Sequence, residues 1–281
     1  MIKFRQMVMR NMDNKEILKV CVSAICRNNS IFKIIYDYYQ KHDKKFVLVI
    51  NGDENSRSSK SNGQVILGAG NIRKLYDLCN DFCKDYPSNF NIDNTLAPIL
   101  NDYLCMEISN DLKEESFDNI GFLNGEVLEP SGYLTICAMA FTLYHEFGHV
   151  KCNDEFKPVI ENEKKADFFA MDVVKDNCSH YPKTDVSCNP FFLGALLQTS
   201  MLLKICDPIY TEIDTSHPHP IERLYTLLEY FHIEDDSYLW QYVYDVVDKW
   251  INEHHLARLF EKNSSKSVKD KLLDAYLRFK K

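Results

Sequence analysis

The chain has 281 residues, 45% of them apolar and 26% charged. This is the composition of a soluble globular protein and excludes a disordered chain, a collagen-like repeat and a coiled-coil rod. Its 33 Lys and Arg against 41 Asp and Glu give a net charge of −8, without the basic footprint of a nucleic-acid binder. The charge is uneven: residues 1–50 carry ten basic and four acidic side chains, net +6, and residues 75–129 carry two and twelve, net −10. The acidic stretch reads either as a solvated surface or as a docking face for a basic partner.

Ten cysteines occur without any CxxC pair, which argues against a zinc ribbon or a thioredoxin-like site. Charges run through the first 19 residues, where a signal peptide needs an apolar core. The longest nearly apolar stretch, Tyr133–Tyr144, is too short to span a bilayer. The expectation is a reduced, cytoplasmic protein with no membrane and no nucleic-acid partner, its cysteines serving mostly as small buried residues.

In chain order, the spacing predicts a helix over 31–41, a buried strand over 46–50, a polar loop over 51–63 and a strand over 64–68 that pairs back. Helices are expected over 71–85 and 95–113, and a hairpin within 121–130 around its Asn-Gly. From Ser131, read as a helix cap, the pattern turns almost continuously helical. Helices run to about 150, then over 160–177, from Pro190, over 221–232, and over roughly 237–261 and 266–279. The fold class is α+β, with a small sheet-containing N-terminal region (1–130) and a mostly helical half (131–281), packed as one compact unit.

The chemistry lies in His145-Glu146-Phe147-Gly148-His149. On a helix, residues i and i+4 share a face, so His145 and His149 can offer two imidazole nitrogens to one metal ion. Glu146, about 100° around the helix, can take a proton from water without serving as a ligand. Protein-bound catalytic zinc takes three ligands and leaves one position open. A third ligand is offered by Glu163, which shares a helical face with Ala166, Asp167 and Ala170. Asp167 would then orient a ligand imidazole through its second nitrogen. Glu161 and Asp154 are substitutes for Glu163, while Cys152, three residues after His149, reads as a reduced, buried thiol beyond the helix end in preference to a metal contact. Phe168, Phe169 and Ala170 argue that much of this helix is buried. Gly148 costs about 1 kcal/mol against alanine inside a helix, so close approach of a strand or a substrate is expected there.

HEFGH followed by EKKADFFA resembles the gluzincin branch of zinc metallopeptidases, where HExxH is completed by Glu in an ExxxD helix. The block Ser216-His217-Pro218-His219-Pro220-Ile221-Glu222-Arg223 resembles the HP…R segment of several such families. Among soluble branches the resemblance is to the Lit family of phage-exclusion peptidases, with ImmA-like peptidases next, and it covers residues 131–226. It implies a cytoplasmic endopeptidase with one zinc ion per chain. His145, His149 and Glu163 would be ligands, Glu146 the base and a protein the substrate, with a role in phage defence or regulation.

The oxyanion donor that peptide hydrolysis needs is not part of HExxH. His217 and His219 are candidates, with His217 favoured by its place before Pro218. The alternative is that SHPHPIER only starts a helix, with Pro at its first turn. Arg223 can donate as well, or pin the segment by pairing with a carboxylate. Tyr144 and Tyr181 are weaker donors, and His180, His232, His254 and His255 have no partner spacing. The rival reading is a catalytically inactive metal-binding interaction protein, against which the retained Glu146 speaks. The oligomeric state is not legible.

Overall fold

The computed structural model describes residues 6–7, 12–27, 41, 47–51, 57–59, 64–68, 70–86, 127–152, 158–179, 186–208, 217–256 and 266–280. The described residues are mostly helical. The elements in order are β1 (Gln6–Met7), α1 (Asn14–Arg27), β2 (Val47–Asn51), β3 (Arg57–Ser59), β4 (Gln64–Gly68), α2 (Ile72–Asp85) and β5 (Val127–Leu128). They continue with α3 (Pro130–Cys152), α4 (Val159–Ser179), a 3-10 turn at Val186–Cys188, α5 (Pro190–Ile205), α6 (Pro220–Tyr230), α7 (Tyr238–Glu253) and α8 (Val268–Phe279).

The strands are short. β4 pairs in parallel with β2 and antiparallel with β3, in the order β2-β4-β3. The expected loop over 51–63 therefore contains a strand at Arg57–Ser59, whose polar residues suit a sheet edge. Val127–Leu128 pairs in parallel with Gln6–Met7, and residues 121–126 of the expected hairpin lie outside the described residues. The helix expected over 95–113 lies outside the described residues, as does that expected over 31–41 apart from Lys41, which is helical.

Local chemistry fixes the helix starts. Asp13 and Glu16 cap α1 reciprocally: each backbone N–H donates to the other's carboxylate at 2.8 Å. Asn189 caps α5 by accepting from Phe191 N at 2.9 Å, with Pro190 at the first position. Ser237 and Ser267 cap α7 and α8. Ser131 is not a cap: α3 already starts at Pro130, and the buried Ser131 offers its carbonyl to Thr135 Oγ1 at 2.7 Å. A proline at the first helical position gives up only an N–H that has no partner there. α7 stops at Glu253, short of the expected 261, where His255 turns to φ 58° and leaves the helical path.

α3 is buried nearly all the way round, the mark of a helix that runs through a core rather than over it. α1, α2, α4 and α5 pack against it. Its two threonine hydroxyls are satisfied within the helix, Thr135 Oγ1 donating to Ser131 O at 2.7 Å and Thr142 Oγ1 to Ala138 O at 3.3 Å. α5 treats Thr199 and Ser200 in the same way, at 2.9 and 2.8 Å. α2 turns one apolar face inward through Ile72, Leu75, Tyr76, Cys79 and Phe82. α6 packs on α5 and α8.

Two glycines set how close the neighbours of α3 can come. A Cβ on Gly194 of α5 would lie 2.6 Å from Ala138 N and Cys137 C of α3. A Cβ on Gly148 of α3 would lie 2.9 Å from Ala166 Cα of α4. The expected close approach at Gly148 is real, and its source is another helix rather than a strand. Among the described residues no helix is long and apolar enough to cross a membrane.

Candidate metal centre

The Gly148–Ala166 contact lays α4 directly along the end of α3 that carries the histidines. His145 Nε2 and His149 Nε2 stand 3.1 Å apart. Glu163 of α4 meets both, with Oε1 at 3.1 Å from His149 Nε2 and Oε2 at 3.4 Å from His145 Nε2. One ligand atom from each of His145, His149 and Glu163 lies within 4.8 Å of the other two. Among the described residues no other group of His, Cys, Asp and Glu side chains converges in this way.

Behind this cluster stands a second layer. Asp167, one turn after Glu163 on α4, approaches His145 Nδ1 with Oδ1 at 2.9 Å. Arg223 of α6 grips the same carboxylate with two donors: Nε donates to Oδ2 at 2.7 Å and Nη2 donates to Oδ1. Arg223 Nη2 also lies 3.2 Å from His145 Nδ1. A guanidinium has no acceptor, and Asp167 takes the Nδ1 proton, so this approach reflects the shared carboxylate rather than a third hydrogen bond. With Nδ1–H donated to Asp167, a cation that displaces the Nε2 proton would meet the lone pair of that nitrogen, which faces the cluster. Lys164 adds a further tie between α4 and α6 through the buried Glu222, at 2.8 Å.

The electrostatics favour positive charge at this point. Burial opposes a charged His145 ring, but the Asp167 and Glu163 carboxylates outweigh it and push its pKa up to about 9. Burial would raise Glu163, yet the two imidazoles hold its carboxyl well below the usual range. Burial likewise opposes ionised Asp167, and Arg223 and His145 hold it below its ordinary value. Glu163 Oε2 is buried and makes no hydrogen bond, a costly state for a carboxylate oxygen unless a cation shares it. Two imidazole nitrogens, a carboxylate and an unsatisfied buried oxygen fit a divalent ion, and nitrogen-oxygen sets of this kind suit zinc.

The remaining candidates separate clearly. Glu146 is buried on α3 beside the ligand pair. His217 reaches over the cluster, with Nε2 at 3.6 Å from Glu163 Oε1 and its side chain 55% exposed. His219, two residues on, is only 2% exposed. Its Nδ1 accepts from Ile221 N at 3.1 Å as the cap of α6, and its ring stacks on Phe279 at 4.2 Å. Tyr144 is fully buried, Glu161 is exposed and outside the cluster, and Asp154, His180 and Tyr181 lie outside the described residues. Cys152 does not join the cluster. Phe168, expected to be buried, is 44% exposed.

Sequence reasoning named Arg223 without its partner. The missing signal was electrostatic: an Asp on a buried helix face needs a cation, and Arg223 was the candidate nearest the resembling segment. The capping role of His219 was written in the Pro220 that follows it.

A converging set of this kind could hold a cation, and similarity bears on the class of protein. Residues 126–243 match the Peptidase U49 family model, a stretch that holds His145, Glu146, His149, Glu163, Asp167, His217 and Arg223. Over this stretch the chain is similar to peptidases, which supports a protease. No curated protein and no solved structure shows significant similarity to the chain.

Proposed function

We propose that the chain is a zinc-dependent endopeptidase of the HExxH-plus-Glu, gluzincin-like type, acting on a specific protein in the cytoplasm. The observation that carries this reading is the convergence of His145 Nε2, His149 Nε2 and the Glu163 carboxylate within 4.8 Å, backed by Asp167 behind His145 Nδ1. When bound, zinc would activate water and polarise the scissile carbonyl. His145, His149 and Glu163 would hold the ion, while Asp167 fixes the His145 tautomer and Arg223 keeps Asp167 ionised. The Glu146 carboxylate takes a proton from the attacking water and returns it to the leaving amine nitrogen. His217 Nε2, exposed above Glu163, donates to the oxygen on which charge develops. His219 is left to its cap. The Lit-like resemblance and the Peptidase U49 match together support a regulatory or phage-defence role over bulk digestion.

The test uses a bacterial lysate as substrate pool, incubated with zinc-loaded protein, with new protein N termini mapped by mass spectrometry. Wild type is expected to create a small set of new termini. Glu146→Gln should create none while holding its zinc, and His217→Ala should cut the rate by roughly 100–1,000-fold with zinc kept. Zinc-loaded wild type that creates no more termini than Glu146→Gln would reject catalysis in favour of a metal-binding interaction protein.

A further inference from the structure

A cavity of about 230 Å³ lies behind the metal cluster, between α4, α5, α6 and α8. Asp167 and Arg223 form part of its wall, but His145, Glu146, His149 and Glu163 do not line it. It therefore sits on the Nδ1 side of His145, across the Asp167–Arg223 pair from the converging Nε2 atoms. Substrate reaching the cluster has no need to enter it, and the reading above leaves it unused.

The lining sorts into two parts. Phe141, Met171, Thr199 and Leu227 supply an apolar floor, since the Thr199 hydroxyl is committed to Ala195 O at 2.9 Å. The polar part holds three cations, Lys164, Arg223 and Lys280, against two carboxylates, Asp167 and Glu222. Lys164 pairs with Glu222 at 2.8 Å and Arg223 pairs with Asp167. Lys280, exposed and standing 5.2 Å from the centroid of the Tyr276 ring, is the surplus positive charge. An apolar chamber with one excess cation at its mouth suits an apolar body ending in a single negative charge. For size, an engineered apolar cavity of about 150 Å³ accepts benzene. In proportion, 230 Å³ holds roughly nine heavy atoms.

We propose that this cavity is a binding site for a small amphipathic monocarboxylate, which acts as an effector of the metal centre. An occupant would touch the Asp167–Arg223 pair that orients His145, and Pro218, the residue next to His217. It would thus bear on a ligand imidazole and on the candidate donor at once without reaching the reacting atoms. The binding step stands on the cavity alone, whereas the effector role rests on the metal-centre reading. By linkage, a carboxylate that changes zinc affinity has its own affinity changed by zinc to the same degree.

The experiment is calorimetric titration of sodium octanoate into metal-free protein, with 1-octanol as the neutral counterpart. Saturable one-site binding of octanoate with Kd below about 1 mM is expected, and at least about tenfold weaker binding of 1-octanol. Thr226→Phe, which fills the cavity from α6, should weaken octanoate by about tenfold or more, and Lys280→Gln by about three- to tenfold. In wild type, saturating octanoate should shift zinc affinity, measured against a chromophoric chelator, by about threefold or more, an effect absent in Thr226→Phe. The site is overturned if octanoate fails to saturate, or if Thr226→Phe binds it as wild type does. Should Thr226→Phe not fold, Lys280→Gln at its exposed position decides, and unchanged octanoate affinity there overturns the site. Equal affinity for 1-octanol overturns the anionic assignment, and an unmoved zinc affinity overturns the effector role. A protein that binds octanoate but no zinc would sink the peptidase reading alone, and one that takes zinc but no octanoate would sink this inference alone.

Discussion

Two of the helices packed on α3 meet it through a glycine, and the two crossings serve different ends. At the α5 crossing, Gly194 lies against Ala138 and Cys137, where an added Cβ would meet backbone at 2.6 Å. The surroundings there are apolar core. At the α4 crossing, Gly148 lies against Ala166, where the nearest approach would be 2.9 Å. Here the flanking residues are His145, His149, Glu163 and Asp167, all bearing charge or a lone pair. One steric device thus joins two helices for cohesion in the first place and brings ligands from two helices together in the second. Perturbing the first should cost stability, and perturbing the second should cost metal affinity out of proportion to stability.

The largest effect is expected from Asp167→Asn. The substitution leaves the Arg223 guanidinium buried without its counter-charge, a loss of about 3 kcal/mol. It also weakens the hold on His145 Nδ1, for roughly a 10–100-fold fall in zinc affinity. Chemical denaturation with zinc competition checks both, and a variant equal to wild type in both would break the account of the second layer. Gly194→Ala is next, with about 2 kcal/mol lost to overpacking against backbone and zinc affinity of the folded protein unchanged. A marked loss of zinc there would erase the contrast between the crossings.

Gly148→Ala sharpens it. Better helix propensity returns up to about 1 kcal/mol, so the net loss of stability should stay near 1 kcal/mol. Zinc affinity should nevertheless fall by about tenfold as α4 is pushed outward with Glu163. The smallest change is His232→Gly, at a residue that takes part in neither glycine contact. His232 ends α6 at φ 52°, in a reversal where His232 N donates to Glu229 O and Ile233 N to Leu228 O. Relieving a side chain in the left-handed region should raise stability by about 0.5 kcal/mol and leave zinc uptake as it was.

Much of the α4 crossing was legible in the sequence, and for local reasons. His145 and His149 are one turn apart on one helix, as are Glu163 and Asp167 on another, so helical period alone pairs them. The apolar run before Tyr144 identified a buried helix, and its burial follows. The α5 crossing was not legible, since Gly194 in a leucine-rich helix carries no mark of which helix it meets. Pairings remote in sequence, such as Arg223 with Asp167, 56 positions away, were open for the same reason. The roles of His217 and His219 were undecided because both sit in one proline-stiffened run. Burial separates them, with one 55% exposed beside Glu163 and the other 2% exposed as a cap. The strand at Arg57–Ser59 was missed because its polar residues look like a loop until β4 lies beside them.

The central claim is that His145, His149 and Glu163 form one zinc site. Metal content per chain, read by inductively coupled plasma mass spectrometry on protein purified without chelator and then reloaded, tests it most directly. The account predicts about one zinc per wild-type chain, the same in Glu146→Gln, and little or none in His149→Ala and Glu163→Ala, all four proteins folded by circular dichroism. Folded wild type that cannot be loaded, or a Glu163→Ala that keeps its full zinc, would contradict it.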